Sequence, residues 1–93
     1  MSSAAGKSAS EARRHRLLFR SWHRGTKELD LILGPFADAT VPSMTEAELD
    51  HYENLLTEPD PDVYDWVAGR AEVPAACDNP VVRKLLAFHR RHA

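Results

Sequence analysis

Apolar side chains recur along the chain three and four positions apart, and no stretch alternates with a period of two, so the pattern predicts helices and no sheet. Ser8-Ala-Ser-Glu11 has the form of a capping box, in which hydroxyl and carboxylate satisfy backbone donors left free at a helix start. From there a first helix is expected to about Arg24, with Leu17, Leu18, Ser21 and Trp22 along one side and Gly25 ending it. A second, about Lys27 to Ala37, carries Leu29, Ile32, Leu33 and Phe36. Gly34-Pro35 is expected to weaken or bend its last turn, because proline removes a donor and disfavours a helical residue before it. After a loop from Ala39 to Ser43, two overlapping boxes, Ser43-Met-Thr-Glu46 and Thr45-Glu-Ala-Glu48, start a third helix reaching about Thr57, with Leu49, Tyr52, Leu55 and Leu56. Asp60 is expected to cap and Pro61 to open a short fourth helix, Asp62 to Ala68, bearing Val63, Tyr64, Trp66 and Val67. Residues 73–78 connect it to a fifth, capped by Asn79-Pro80, with Val82, Leu85, Leu86 and His89 facing inward. The expected architecture is all-α, a small five-helix bundle.

Length narrows this further. With 93 residues the chain has room for one domain, read here as residues 8–93 behind a disordered tail of residues 1–7 that lacks large apolar side chains beyond Met1. A core this thin leaves little space for the deep, solvent-excluding pocket most enzymes need. No apolar run approaches the roughly 20 residues that span a bilayer. The N-terminus lacks the apolar run of a secretory signal, and core pattern begins by Leu17, too early for a removable presequence, so a cytoplasmic location is expected. The single cysteine, Cys77, excludes an internal disulfide and reads as a small, half-buried apolar residue before the last helix.

Charge is unevenly spread over a net value of −2. Residues 1–28 hold seven Lys/Arg against two acids, residues 29–79 hold twelve acids against Arg70 alone, and residues 80–93 hold four basic residues and no acid. Basic first and last helices around an acidic middle suit electrostatic docking on a protein partner. A nucleic-acid footprint would be more basic throughout, so the run Arg13, Arg14, Arg16 and Arg20 with Phe19 and Trp22 between them reads as a solvated helix face.

The segment Arg24-Gly25-Thr26-Lys27-Glu28, followed by Leu29-Asp30, is the one most suggestive of function. If the chain stays helical there, Arg24 and Glu28 share a face and can form a modest ion pair. A glycine between them weakens a helix by about 1 kcal/mol relative to alanine, but serves a tight turn or a bare backbone that a partner can approach closely. An ordinary inter-helix turn with a surface ion pair is the plain alternative. Arg-Gly-x-x-Glu between the first two helices, Leu-Asp with an apolar run behind it, and the downstream Glu58-Pro-Asp-Pro-Asp-x-Tyr-Asp-Trp66 together resemble the SdhE/YgfY family of succinate dehydrogenase flavinylation factors, over about Arg16 to Gly69.

The resemblance implies a YgfY-like five-helix fold that binds the flavoprotein subunit of succinate dehydrogenase and promotes attachment of FAD to a histidine of that subunit. It implies partner-binding roles for Arg24, Gly25 and Glu28, with Arg20, His23, Asp30, Tyr64 and Asp65 as secondary candidates. Two departures stand out: Thr26 occupies a position that is commonly apolar in the family, and His23 replaces a residue that is often basic. No glycine-rich phosphate cradle is present, so no tightly bound cofactor is expected and FAD belongs on the partner. His89 and His92 lie three apart, with His15 and His23 on the first helix, but no third ligand stands at a recognisable spacing and no metal is expected. No nucleophile-elbow motif occurs, so the chain reads as a monomeric assembly factor and not an enzyme. The competing class is an antitoxin-like or other protein-binding module without a flavin role, and fumarate reductase is a second possible client.

Overall fold

The computed structural model describes residues 2–92, and the side chains of residues 2–9 lie outside that description. Five α-helices follow one another: α1 (Ser2–Trp22), α2 (Lys27–Thr40), α3 (Glu46–Leu55), α4 (Asp60–Val67) and α5 (Pro80–His92), with 3₁₀ turns at Val41–Ser43 and Ala75–Cys77. Among the described residues there is no strand, as the periodicity requires. The stretch read as a tail, residues 1–7, falls on Met1 and on side chains outside the description. The backbone of α1 is helical through Ser8, so the Ser8 box lies inside the helix and not at its start.

Each helix end has a local cause. Gly25 takes φ 107°, a conformation side chains rarely adopt, and it turns the chain from α1 into α2. Thr45 caps α3 through a complete capping box with Glu48, so of the two overlapping signals the second is used. The Asn79 carboxamide accepts from the backbone N–H groups of Val81 and Val82 at 2.9 and 3.0 Å, closing the start of α5. Two expectations need correction. α2 runs to Thr40, three residues beyond its expected end, and within it Trp22 packs on Gly34 so closely that a Cβ there would meet its indole at 2.4 Å. Asp60 is the first helical residue of α4 and not its cap; Pro59 takes that position, since the Asp60 carboxylate is engaged elsewhere.

The core gathers Leu17, Leu29, Leu33, Phe36, Leu49, Tyr52, Val63, Trp66, Val82 and Leu85, drawn from all five helices. Within it the Ser21 hydroxyl donates to the Leu17 carbonyl at 2.7 Å, so its oxygen is left to accept from the Tyr52 hydroxyl at 2.5 Å. Burial pushes the Tyr52 phenol up to about 12. Of the α1 arginines read as a solvated face, Arg16 is exposed, but Arg13 and Arg14 are engaged. Arg13 spans Glu46, Asp50 and Glu53 of α3, and Arg14 donates to the Val41 carbonyl at 2.6 Å. Lys84 reaches Glu48 at 2.6 Å and Arg83 reaches Asp78 at 2.9 Å. Much of the charge separation along the sequence is therefore neutralised between helices. Cys77 is half-buried against the core, and desolvation, with Glu58 second, pushes its thiol up and away from reactivity.

Candidate functional site

The α1–α2 turn is built by three backbone-level events. Gly25 reverses the chain, Thr26 enters α2 in extended conformation, and the Asp30 carboxylate accepts from the Arg24 backbone N–H at 2.7 Å. Because Gly25 ends the helical path, Arg24 and Glu28 do not share a helix face, and the ion pair that a continuous helix would allow between them is not formed. The Arg24 guanidinium instead crosses to the turn between α3 and α4. Nη1 donates to the Leu56 carbonyl, Nη2 to the Glu58 carbonyl at 2.8 Å, and Nη2 meets the Asp60 carboxylate at 2.5 Å. These carbonyls lie in the turn that follows α3, outside any helical ladder, and an arginine fork suits them. The side chain is 9% exposed, and its Nε is buried without a hydrogen-bond partner. Arg24 thus works as an internal clamp between two turns.

Past the glycine the chemistry faces outward. Gly25, Thr26, Lys27 and Glu28 are all exposed, and a Cβ built on Gly25 would meet nothing within 4 Å. Glu28 stands in the first turn of α2, where a carboxylate is favoured by the helix dipole. Clamped by Arg24, α4 lies alongside and brings Tyr64 and Asp65 toward it. Thr26, Glu28, Leu29, Asp60, Pro61, Tyr64 and Asp65 together line an open groove of about 420 Å³. Arg70 sits over the Tyr64 ring at 5.5 Å from its centroid.

The structure therefore gathers Glu28, Tyr64 and Asp65 into one place beside the exposed Gly25. Arg24 and Asp30 lie behind it and shape the turn. Arg20 is half-buried on α1 and does not line the groove. His23 is exposed but folded back, its ring stacked on Phe19 at 4.0 Å and its Nδ1 2.8 Å from the Phe19 carbonyl oxygen. Sequence reasoning overlooked Asp60, Pro61 and Leu29 as groove residues. Asp60 and Pro61 carry helix-start signals that mask a second use, and Leu29 reads as core, which at 2% exposure it also is. Among the described residues no three His, Cys, Asp or Glu side chains come together as a metal site. No helix there is long and apolar enough to cross a membrane.

Comparison with known proteins bears on this geometry. The family described as "Flavinator of succinate dehydrogenase" matches residues 15–89, a span that takes in every residue of the groove. An FAD assembly factor SdhE of Acetobacter pasteurianus is 44% identical over 75 residues, covering 81% of this chain and 69% of its own length. A mitochondrial succinate dehydrogenase assembly factor 2 of Dictyostelium discoideum is 42% identical over 79 residues, 85% of this chain and 55% of its own. The corresponding protein of Scheffersomyces stipitis is 42% identical over 76 residues, 82% of this chain and 51% of its own. This chain thus spans about half the length of those mitochondrial relatives.

Proposed function

The chain belongs to the flavinator of succinate dehydrogenase family, and from that premise we propose that it is a cytoplasmic, non-catalytic assembly factor that binds the flavoprotein subunit of succinate dehydrogenase one-to-one and promotes covalent attachment of FAD to it. The observation that carries the reading is the groove itself. An exposed glycine corner, Glu28 and the Tyr64–Asp65 face of α4 adjoin one another on an open surface, rigidly backed by the Arg24 clamp. The flavin supplies its own electrophilic chemistry, and the nucleophile is a histidine of the partner. What remains for this chain is to hold the partner in the arrangement where the two meet in reactive geometry.

In this role Glu28 accepts hydrogen bonds from partner donors, and the bare Gly25 backbone lets the partner's main chain come close. Tyr64 and Asp65 complete the face. Arg24 contributes from behind by fixing the α3–α4 turn. The test is co-expression of the flavoprotein subunit with the native chain or with Glu28→Ala, followed by co-purification and in-gel flavin fluorescence. The native chain is expected to co-purify and to give a fluorescent subunit, and Glu28→Ala to lose both while keeping its helical circular dichroism. Normal covalent flavin in the absence of this chain overturns the proposal and favours a binding module with no flavin role.

A further inference from the structure

The groove has a chemical character that says what kind of segment it takes. Its floor is apolar, made by Leu29, Pro61 and the ring of Tyr64. Its rim is anionic, because Glu28 and Asp65 carry carboxylates and neither has an ion-pair partner among the described residues. Asp60, the third acid, is held by Arg24. Five other acids are neutralised across the fold: Arg13 takes three on α3, Lys84 takes Glu48, and Arg83 takes Asp78. Besides Arg24, which is spent on Asp60, the cations beside the groove are Lys27, exposed but not lining it, and Arg70, whose guanidinium already lies over the Tyr64 ring. That last contact shows the ring face accepting a cation, as the negative face of an aromatic quadrupole does.

Resting on the reading that this groove is the docking face, we infer that its occupant is a short partner segment in which an apolar side chain is flanked by lysine or arginine. The apolar side chain covers Pro61 and Tyr64, and the flanking cations meet Glu28 and Asp65. A groove of about 420 Å³ lies at the low end of binding-pocket sizes, so it takes a short segment and not a large ligand. Free FAD does not suit it. Two unpaired carboxylates at the rim repel a diphosphate, and the helix starts at its edge, those of α2 and α4, already carry acids in their first turns.

The test uses the full chain, labelled with ¹⁵N, and three synthetic octapeptides identical except that a central leucine is flanked on both sides by lysine, glutamine or glutamate. The lysine peptide is expected to shift the amide resonances of Thr26, Glu28, Leu29, Tyr64 and Asp65, and to bind about fivefold more tightly than the glutamine peptide. Raising the salt and, separately, the double substitution Glu28→Gln with Asp65→Asn are expected to remove that advantage while the thermal melt stays cooperative. Equal binding of the lysine and glutamine peptides, or shifts confined to another surface, overturns the inference. Capture of the flavoprotein subunit, measured in parallel with the native chain, tests the proposed function by itself. If that capture fails while the lysine peptide still binds the groove, the functional reading falls and the inference about segment chemistry stands. If the subunit is captured but the peptides do not distinguish lysine from glutamine, the reverse holds.

Discussion

Replacing Arg24 with alanine tests whether the motif arginine works inside the molecule. The substitution removes two charge-assisted bonds to the Leu56 and Glu58 carbonyls and the contact with Asp60. Hydrogen bonds of a charged group contribute roughly 1.5–3 kcal/mol each, and the Asp60 contact little more, since that carboxylate is 23% exposed and screened. Against this, the native state carries a buried Nε with no partner, at a cost of roughly 1–3 kcal/mol that the variant escapes. The net loss is about 2–4 kcal/mol, out of the roughly 5–14 kcal/mol typical for a domain of this length. By the usual scaling that lowers Tm by roughly 8–30 °C. Urea and thermal melts followed by circular dichroism read it directly. Asp60→Asn, which leaves both carbonyl anchors in place, is expected to cost no more than about 1 kcal/mol. Arg24→Lys is expected to recover only part of the loss, because an ammonium cannot span the fork geometry. An Arg24→Ala protein that melts within about 2 °C of the native chain yet fails to capture the flavoprotein refutes the clamp and makes Arg24 a direct contact.

Three further outcomes are expected. Gly25→Ala, in open space but at φ 107°, is expected to cost about 1–2 kcal/mol, and Gly25→Asn less, since asparagine tolerates positive φ; loss of capture in both variants, with melts intact, supports backbone approach at this corner, and native-like capture by the asparagine variant refutes it. Gly34→Ala, ordinarily a gain of about 1 kcal/mol inside a helix, is expected to destabilise instead by driving a Cβ into the Trp22 ring, with overpacking of about 1–3 kcal/mol and a displaced Trp22 indole N–H resonance; a raised Tm rules out the close packing. Lys84, and after it the Thr45 backbone N–H, hold the Glu48 carboxyl at about 2 against its ordinary 4.5. A carboxyl depressed in the folded state stabilises it above the unfolded value, so Glu48→Gln is expected to lower Tm near neutral pH, with the gap closing as pH falls from about 4.5 toward 2; a gap that ignores pH refutes the pairing.

Much of the fold is legible in the sequence because its determinants are local. The Thr45–Glu48 box, the Asn79 cap and the i, i+3, i+4 apolar spacing each act within one turn of helix, and each is realised. The failures come from tertiary contacts. Gly34-Pro35 reads as weakening the last turn of a helix that stops at Ala37, yet α2 continues to Thr40, with the Trp22 indole settled on Gly34 from α1. Val41, Met44 and Val81 are buried although none belongs to the apolar periodicity of a helix as read, since their burial comes from a 3₁₀ turn, a cap and the entry to α5. Leu31 is 58% and Phe19 63% exposed, so neither apolar identity by itself reports on the core. At the site, Glu28, Tyr64 and Asp65 were recognisable from the motifs that carry them. Their adjacency was not, because it depends on Arg24 reaching a turn more than thirty positions away.

That reach divides the motif into two kinds of residue with one apparent phenotype. Asp60 begins α4, and Tyr64 lies one helical turn further on, so whatever positions Asp60 positions the α4 wall of the groove. The residue with 9% exposure therefore governs a surface it does not itself form, while the exposed Glu28 forms that surface and governs nothing behind it. Substitutions at the two positions should both abolish capture of the flavoprotein, but by routes that temperature separates. An Arg24 variant fails because the turn it held is released, an equilibrium that cooling toward the temperature of maximum stability moves back toward the native arrangement. A Glu28 variant lacks a recognition group at every temperature. Capture at about 10 °C should then recover in part for Arg24→Ala and not at all for Glu28→Ala, and equal recovery in both would show that the two residues act at the same level.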